Sequence, residues 1–467
     1  MKKISLFVLF NIIIFYFSIY LFGQRSVDYI EILISIIIFF TIVKMFKKNR
    51  FLLAFTYVIL YQLIFDSNYY NFTNYHIRLW YLLLMPLLIY IIFIQLNRAI
   101  NNNKLVIYTK KIYLFNILII ILFAFLSIAY FFFEPLEAKL YIIKYWLISI
   151  GLIYYIYYIF RQANRDIFIE VLDYLIALAL FVALWGIIQF HYNTTLGINN
   201  VFNNPLSNKD IRPNAFFSET TWYSEYIVFG IIFTSLRLKI KFNRNFLWIF
   251  PVFIFGIIIS VTRNAFLGLI IFFVVDIILI LILGKIPKIP IKTITINKYF
   301  IFAILIVVGY ISYAYGQLTM NFINSIIYRF THANMESHRI EAFKAGVKYI
   351  TQSPLIGHGF NYNYNEDKFS GSFSSAIGSK AFNLFLMIGS IFGIPGLIYL
   401  IVLVFWHYLT SVLIYIKTRS IYIRYSIILI SVFLSMSMFA PIFQFPFGMY
   451  IVGISLSIRK IGEKYNA

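Results

Sequence analysis

The chain has no cysteine among its 467 residues, which excludes disulfides and thiolate metal sites. It is also short of charge. Asp, Glu, Lys and Arg make up only 12% of it, about half the roughly 25% usual in soluble domains. Carboxylates are the scarcer kind, 17 against 39 Lys and Arg. Between residues 246 and 284 the only ionisable side chains are Arg263 and Asp276. A small-residue cleavage site is missing as well. After the basic tip "MKK", aromatic and large aliphatic residues continue through Leu21, so the N-terminus reads as an uncleaved first span rather than a signal peptide.

What is present is apolar. The chain is 62% hydrophobic and 21% aromatic, with a mean hydropathy of +0.85, where soluble domains have roughly 45–50% apolar residues. Apolar runs of about 15 to 25 residues recur from end to end, long enough to cross ~30 Å of hydrocarbon at 1.5 Å per residue. The expected fold class is all-α, a polytopic integral membrane protein of about fourteen transmembrane helices. Spans are expected near residues 4–22, 29–46, 51–65, 79–96, 112–133, 140–160, 167–190, 225–236, 246–261, 265–283, 299–315, 382–409, 425–439 and 447–457.

The net charge of +22 raises a nucleic-acid partner as a first idea. The basic residues, however, are scattered in short clusters between spans, such as "KMFKKNR", "RLKIKFNR" and "IKTRSIYIR". Their expected job is orientation by the positive-inside rule, so the partner is the lipid bilayer and no nucleic acid is expected. The threading puts both termini, and most Lys and Arg, on one side, with most carboxylates opposite. This implies both termini in the cytoplasm. The heavy use of Ile, Phe, Tyr, Asn and Lys fits an AT-rich bacterial genome, and hence a bacterial cytoplasmic (inner) membrane.

The expected organisation is an N-terminal set of spans (1–190), a first outer loop (191–224), central spans (225–315), a large outer loop (316–381) and C-terminal spans (382–467). Within it, "SVTRNAFLGL" stands out. An arginine at the bilayer centre costs ~2.5–3.5 kcal/mol on insertion scales. The run from 246 to 284 is too long for one span and fits two joined by a tight turn at "TRN". Arg263 then lies at the outer surface, the side on which the charge bias disfavours it.

The first outer loop contains "RPNAFFSETTWYSEY", and the second contains "SHRIEAFKAGVKYITQSPLIGHGF". Long loops in compact proteins are often functional. The spacing in the second predicts an amphipathic helix over about 337–351, stopped before Pro354. Ile340, Phe343, Val347 and Ile350 share its apolar face, with Arg339 within about 40° of Phe343. Gly357 and Gly359 permit a sharp turn with close backbone approach. Arg212, Arg263 and Arg339 converge on the outer face, where guanidinium forks suit phosphate oxygens. Glu219 and His338 are the nearby candidates for proton transfer. Plainer roles exist for each. Arg263 would serve as a headgroup anchor, Arg339 as a snorkelling side chain, Arg212 as an ion-pair partner of Asp210, and Glu219 as a helix cap. Asp276, Lys144 and Asp173 fall inside expected spans, where they would pair with one another or line a cavity.

These pieces resemble the O-antigen ligase and polymerase family of bacterial polysaccharide assembly. The resemblance lies in "SVTRNAFLGL", in "HRIEAFKAGVKYITQSPLIGHGF" with its Pro-Leu-x-Gly-x-Gly, and in "FNLFLMIGSIFGIPGL" with its Asn-Leu and Gly-Ile-x-Gly. "RPNAFFSETTWYSEY" is similar to a segment of exopolysaccharide polymerases. The resemblance implies glycan transfer from an undecaprenyl-diphosphate carrier on the outer side of the membrane, without metal or other cofactor. It further implies that Arg212, Arg263, Arg339, Gly357, Gly359 and Asn383 bind the diphosphate or substrate, with Glu219 first and His338 second as the base. Ligases of the family carry His-Asn where this chain has Phe382-Asn383, which favours a polymerase over a ligase. A flippase and a chain-length regulator are the implied protein partners. A flippase function for this chain itself would call for internal repeats, and none is evident.

Overall fold

The computed structural model describes residues 2–22, 26–46, 51–65, 70–72, 75–77, 83–84, 86–91, 93, 148–192, 213–217, 220–282, 309, 337–358, 383–438 and 446–465. Nearly all of these are helical. The helices are α1 (Lys2–Phe22), α2 (Ser26–Phe46), α3 (Phe51–Gln62), α4 (Ile148–Gln162), α5 (Arg165–Tyr192), α6 (Thr220–Ile240), α7 (Ile249–Ser260), α8 (Arg263–Ile282), α9 (Ser337–Gln352), α10 (Leu384–Thr418), α11 (Ile421–Ser437) and α12 (Pro446–Tyr465). Among the described residues, four stretches are long and apolar enough to cross a membrane: Ile4–Leu21, Arg165–Tyr192, Arg263–Ile282 and Leu384–Thr418. The expected span at 112–133 lies outside the described residues, the one at 299–315 is described only at residue 309, and those at 79–96 and 140–160 are described only in part. One small departure from an all-α fold follows α3. There β1 (Tyr70–Phe72) pairs antiparallel with β2 (Tyr75–Ile77), Asn71 opposite His76, in a stretch of aromatic residues that favour strands.

The core is built around α6. From Thr220 to Leu238 almost every side chain of this helix is buried, and α5, α7, α8 and α11 pack around it. Without a hydrophobic drive between helices in lipid, close approach depends on small residues. Gly186 of α5 lies under the Tyr223 ring of α6, and Gly268 of α8 lies against Val228 of α6 and Met436 of α11. Polar groups inside the bundle are paired across helices. Tyr61 donates to Asn11 at 2.8 Å, Gln62 to Ser35 at 2.6 Å, and Ser426 to the Ser455 carbonyl at 2.7 Å. The outward faces are apolar instead: Ile270, Ile277 and Leu281 on α8, and Ile398, Phe405 and Trp406 on α10, are exposed. Buried polar pairs and bare aliphatic faces are the pattern of a protein solvated by lipid.

Two intramembrane carboxylates find their partners at helix ends rather than in each other. Asp173 of α5 accepts from Arg237 Nε at 2.6 Å. Asp276 of α8 accepts from Lys239 Nζ at 3.3 Å and from Arg424 Nε at 2.6 Å. Arg237 and Lys239 lie in the last turn of α6, and Arg424 lies in the first turn of α11. Cations near these helix ends therefore bond to acids borne by neighbouring helices. Lys144 lies outside the described residues.

Candidate functional site

The expected break at "TRN" is present. α7 ends at Ser260, Val261 turns the chain with φ 49°, and Arg263 opens α8. A β-branched residue at positive φ is an outlier, and such strain persists only where the surroundings over-determine it. Here Val261 N–H bonds to the Ile258 carbonyl at 3.1 Å, Thr262 Oγ1 to the Ser260 carbonyl at 3.2 Å, and Ala265 N–H to the Thr262 carbonyl at 3.2 Å. The next residue, Asn264, reaches inward. Its Nδ2 donates to Oε1 of Glu225, a fully buried carboxylate on α6, and to the Met436 carbonyl on α11 at 3.3 Å. One side chain thus ties the first turn of α8 to two neighbouring helices.

A second strained residue sits between α5 and α6. Residues 213–217 are buried, and Ala215 has φ 49°. The side chain of Gln189, near the end of α5, holds this segment from two directions. Its Oε1 accepts from Ala215 N–H at 2.8 Å and Asn214 N–H at 3.2 Å, while its Nε2 donates to the Ala215 carbonyl at 3.2 Å. Phe216 inserts among Phe15, Phe65, Phe181 and Trp185, stacked on the indole at 5.2 Å between ring centres. Residues 213–217 are therefore pinned to the bundle.

The third element joins two of the sequence motifs. α10 is broken at Gly393 (φ 69°), just before Pro395. In a continuous helix Ile394 N–H would bond to the Ser390 carbonyl. Instead Ile394 N–H donates to the Pro354 carbonyl at 2.7 Å, and the Ser390 carbonyl accepts from His358 N–H at 2.8 Å. The loop after α9 thus inserts into the broken rung, satisfying backbone groups that cannot be left open at membrane depth. Glycine is required on both sides. Gly357, at φ 75°, would drive a Cβ into the Ile391 carbonyl, and Gly393 would drive one into the Pro354 carbonyl.

α9 spans Ser337–Gln352, one residue longer than its spacing predicts. Of its apolar face, Ile350 packs against Gly389 of α10, while Phe343 and Val347 are exposed. α10 is also met at Gly346, where the absence of a side chain lets Leu386 approach. Asn383 caps α10, its Oδ1 accepting from the N–H groups of Phe385 at 2.8 Å and Leu386 at 3.3 Å. His358 Nε2 donates to the Tyr349 carbonyl at 2.9 Å, so this ring closes the joint. His338 and Arg339 lie on the α9 backbone, their side chains outside the described residues, as are Arg212, Glu219 and Gly359 altogether. Of the sequence candidates, Arg263, Gly357 and Asn383 are described in full. Arg263 sits, half-buried, beside the Asn264–Glu225 link.

Residues 248–401 match the family model of O-antigen ligases. Over this segment, about a third of its length, the chain is similar to O-antigen ligases. The segment opens at the end of the 3₁₀ turn Arg244–Trp248 and closes beyond the break in α10. It therefore contains the strained turn before Arg263 and both halves of the glycine joint. Comparison of the chain with curated proteins and with solved structures gives no match. The family-model match and the apolar helices support glycan processing of the ligase or polymerase type by a multi-pass membrane protein. Sequence reasoning passed over Gln189 and Glu225. Both are polar residues inside apolar helices, the signal by which they are recognisable.

Proposed function

We propose that the protein is a polymerase of undecaprenyl-diphosphate-linked oligosaccharide repeat units, building capsule, exopolysaccharide or O-antigen at the outer face of the bacterial inner membrane. The observation that carries this reading is the position of Arg263. It is the first residue of α8, where the helix dipole already presents positive partial charge and disfavours a cation. A guanidinium kept there, on the outer side in the orientation proposed here, adds to the dipole rather than opposing it. Together they form an electrostatic seat for an anion such as a diphosphate.

In the proposed reaction an acceptor sugar hydroxyl attacks the anomeric carbon of the donor glycan. The new carbon–oxygen bond forms as the bond to the phosphate oxygen breaks, and undecaprenyl diphosphate leaves. Arg263, with Arg212 and Arg339, stabilises the charge developing on the leaving diphosphate. The hydroxyl proton passes to Glu219, with His338 as the second candidate. Neither a metal nor another cofactor is assigned a part, and a flippase and a chain-length regulator are the proposed companions. The ligase reading stands second, favoured by the family description of residues 248–401 and opposed by Phe382 in the position where ligases of the family carry histidine.

The test mixes purified protein with the undecaprenyl-diphosphate repeat unit extracted from the source strain, in the presence of a chelator. A ladder of longer glycans, lost in Arg263→Ala, is the expected result. Transfer only after lipid A core or a wall acceptor is supplied would make the protein a ligase. Inactivity with every acceptor, together with movement of the carrier across a vesicle, would overturn the enzyme reading.

A further inference from the structure

We infer that Glu225 is a positioning residue for donor binding, fixing the direction of the Arg263 guanidinium through Asn264. The inference rests on the reading of Arg263 as the diphosphate ligand. Glu225 is fully buried in the central helix, where a carboxylate is expensive and is kept for a purpose. Its Oε1 accepts from Asn264 Nδ2, one residue after Arg263 in the same helical turn.

Successive residues of a helix point about 100° apart, so anchoring Asn264 to α6 sets the azimuth of Arg263. The second bond of Asn264, to the Met436 carbonyl at 3.3 Å, fixes the same turn against α11. Gly268, one turn on, removes the remaining freedom by letting α8 lie directly on Met436 and Val228. The strained Val261 precedes this clamp. Without the clamp, relaxation of its backbone would swing Arg263 away, because a left-handed β-branched residue is held only by its surroundings.

A positioning role predicts coupling that a purely structural role does not. Affinity for undecaprenyl diphosphate is measured with the full chain in nanodiscs for the wild type, Arg263→Ala, Glu225→Leu and the double variant. Arg263→Ala should weaken binding about tenfold, the scale of a lost charge-assisted contact. Glu225→Leu should weaken it by about fivefold to tenfold in the wild type but by less than about twofold when Arg263 is absent. Glu225→Gln keeps an oxygen acceptor for Asn264 and should stay within about twofold of the wild type. Asn264→Ala removes the same bond from the other side, should follow Glu225→Leu, and serves if the leucine variant does not fold. If Glu225→Leu and Asn264→Ala weaken binding equally with and without Arg263, the positioning role is overturned while Arg263 keeps its function. If Arg263→Ala binds as tightly as the wild type, the diphosphate reading fails and takes the inference with it.

Discussion

Replacing Gln189 by Leu tests the pinning of the segment 213–217 most directly. Leucine fills a similar volume and offers no polar atom, so three hydrogen bonds disappear: two accepted from Asn214 and Ala215 N–H and one donated to the Ala215 carbonyl. These backbone groups belong to fully buried residues, and a buried group stripped of a partner costs about 1–3 kcal/mol. The loss is capped by escape. Once the bonds fail, the segment can lift away at the expense of extracting Phe216 from its aromatic cage, about 1.5–3 kcal/mol for a large apolar side chain. The net destabilisation should therefore be about 1.5–3 kcal/mol. It is read by unfolding in mixed detergent micelles, with Trp185 fluorescence reporting the loss of the stacked Phe216. Ala215→Gly supplies the control. Glycine adopts φ 49° without the roughly 1–2 kcal/mol steric penalty of the left-handed region but has a more disordered unfolded state. That variant should lie within about 1 kcal/mol of the wild type, and it should recover part of the loss when added to Gln189→Leu. A Gln189→Leu protein that unfolds with the wild type, or an Ala215→Gly protein that is about 2 kcal/mol weaker, would refute the reasoning.

Two further perturbations address other parts of the frame. Gly393→Ala and Gly357→Ala should each open the α9–α10 joint, destabilising by about 2–4 kcal/mol through backbone collision and left-handed strain. Amide exchange at His358 and Ile394 should rise in both, with the double variant little worse than either single one. Asp276→Leu should destabilise by about 3–5 kcal/mol, because Lys239 and Arg424, with side chains only 13% and 12% exposed, lose a shared carboxylate. Changing Lys239 and Arg424 to Met in the same chain should restore the melting temperature to near the wild-type value, since an apolar replacement of a whole buried ion cluster is close to neutral.

Much of the frame was legible in the sequence because hydropathy and chain punctuation are local properties. The turn at "TRN" followed from a run too long for one span, and the helix over 337–351 followed from spacing and Pro354. Partnerships between distant residues were not legible. Nothing in the neighbourhood of Asp276 names Arg424, and the expected loop around "IKTRSIYIR" is instead the junction from which α11 starts. The full contact of α9 with α10 was not legible for a related reason. A helical wheel ranks residues by polarity, whereas contact with α10 is decided by where a neighbour can come close, at Gly346. Glu225 escaped notice because a lone carboxylate at the edge of an apolar run looks like the start of a span. Only the position of Asn264 across from it gives it meaning.

The joint between the loop after α9 and the break in α10 is written in main-chain atoms. Its recognition is therefore indifferent to most of the side chains around it, and Leu355, Ile356 and Ile394 all point outward, exposed. A lineage can rewrite those positions freely while two glycines and a proline keep the connection intact. The two glycines are held by geometry, because a side chain at either would collide with the opposite main chain, whereas the exposed positions around the joint carry no such constraint.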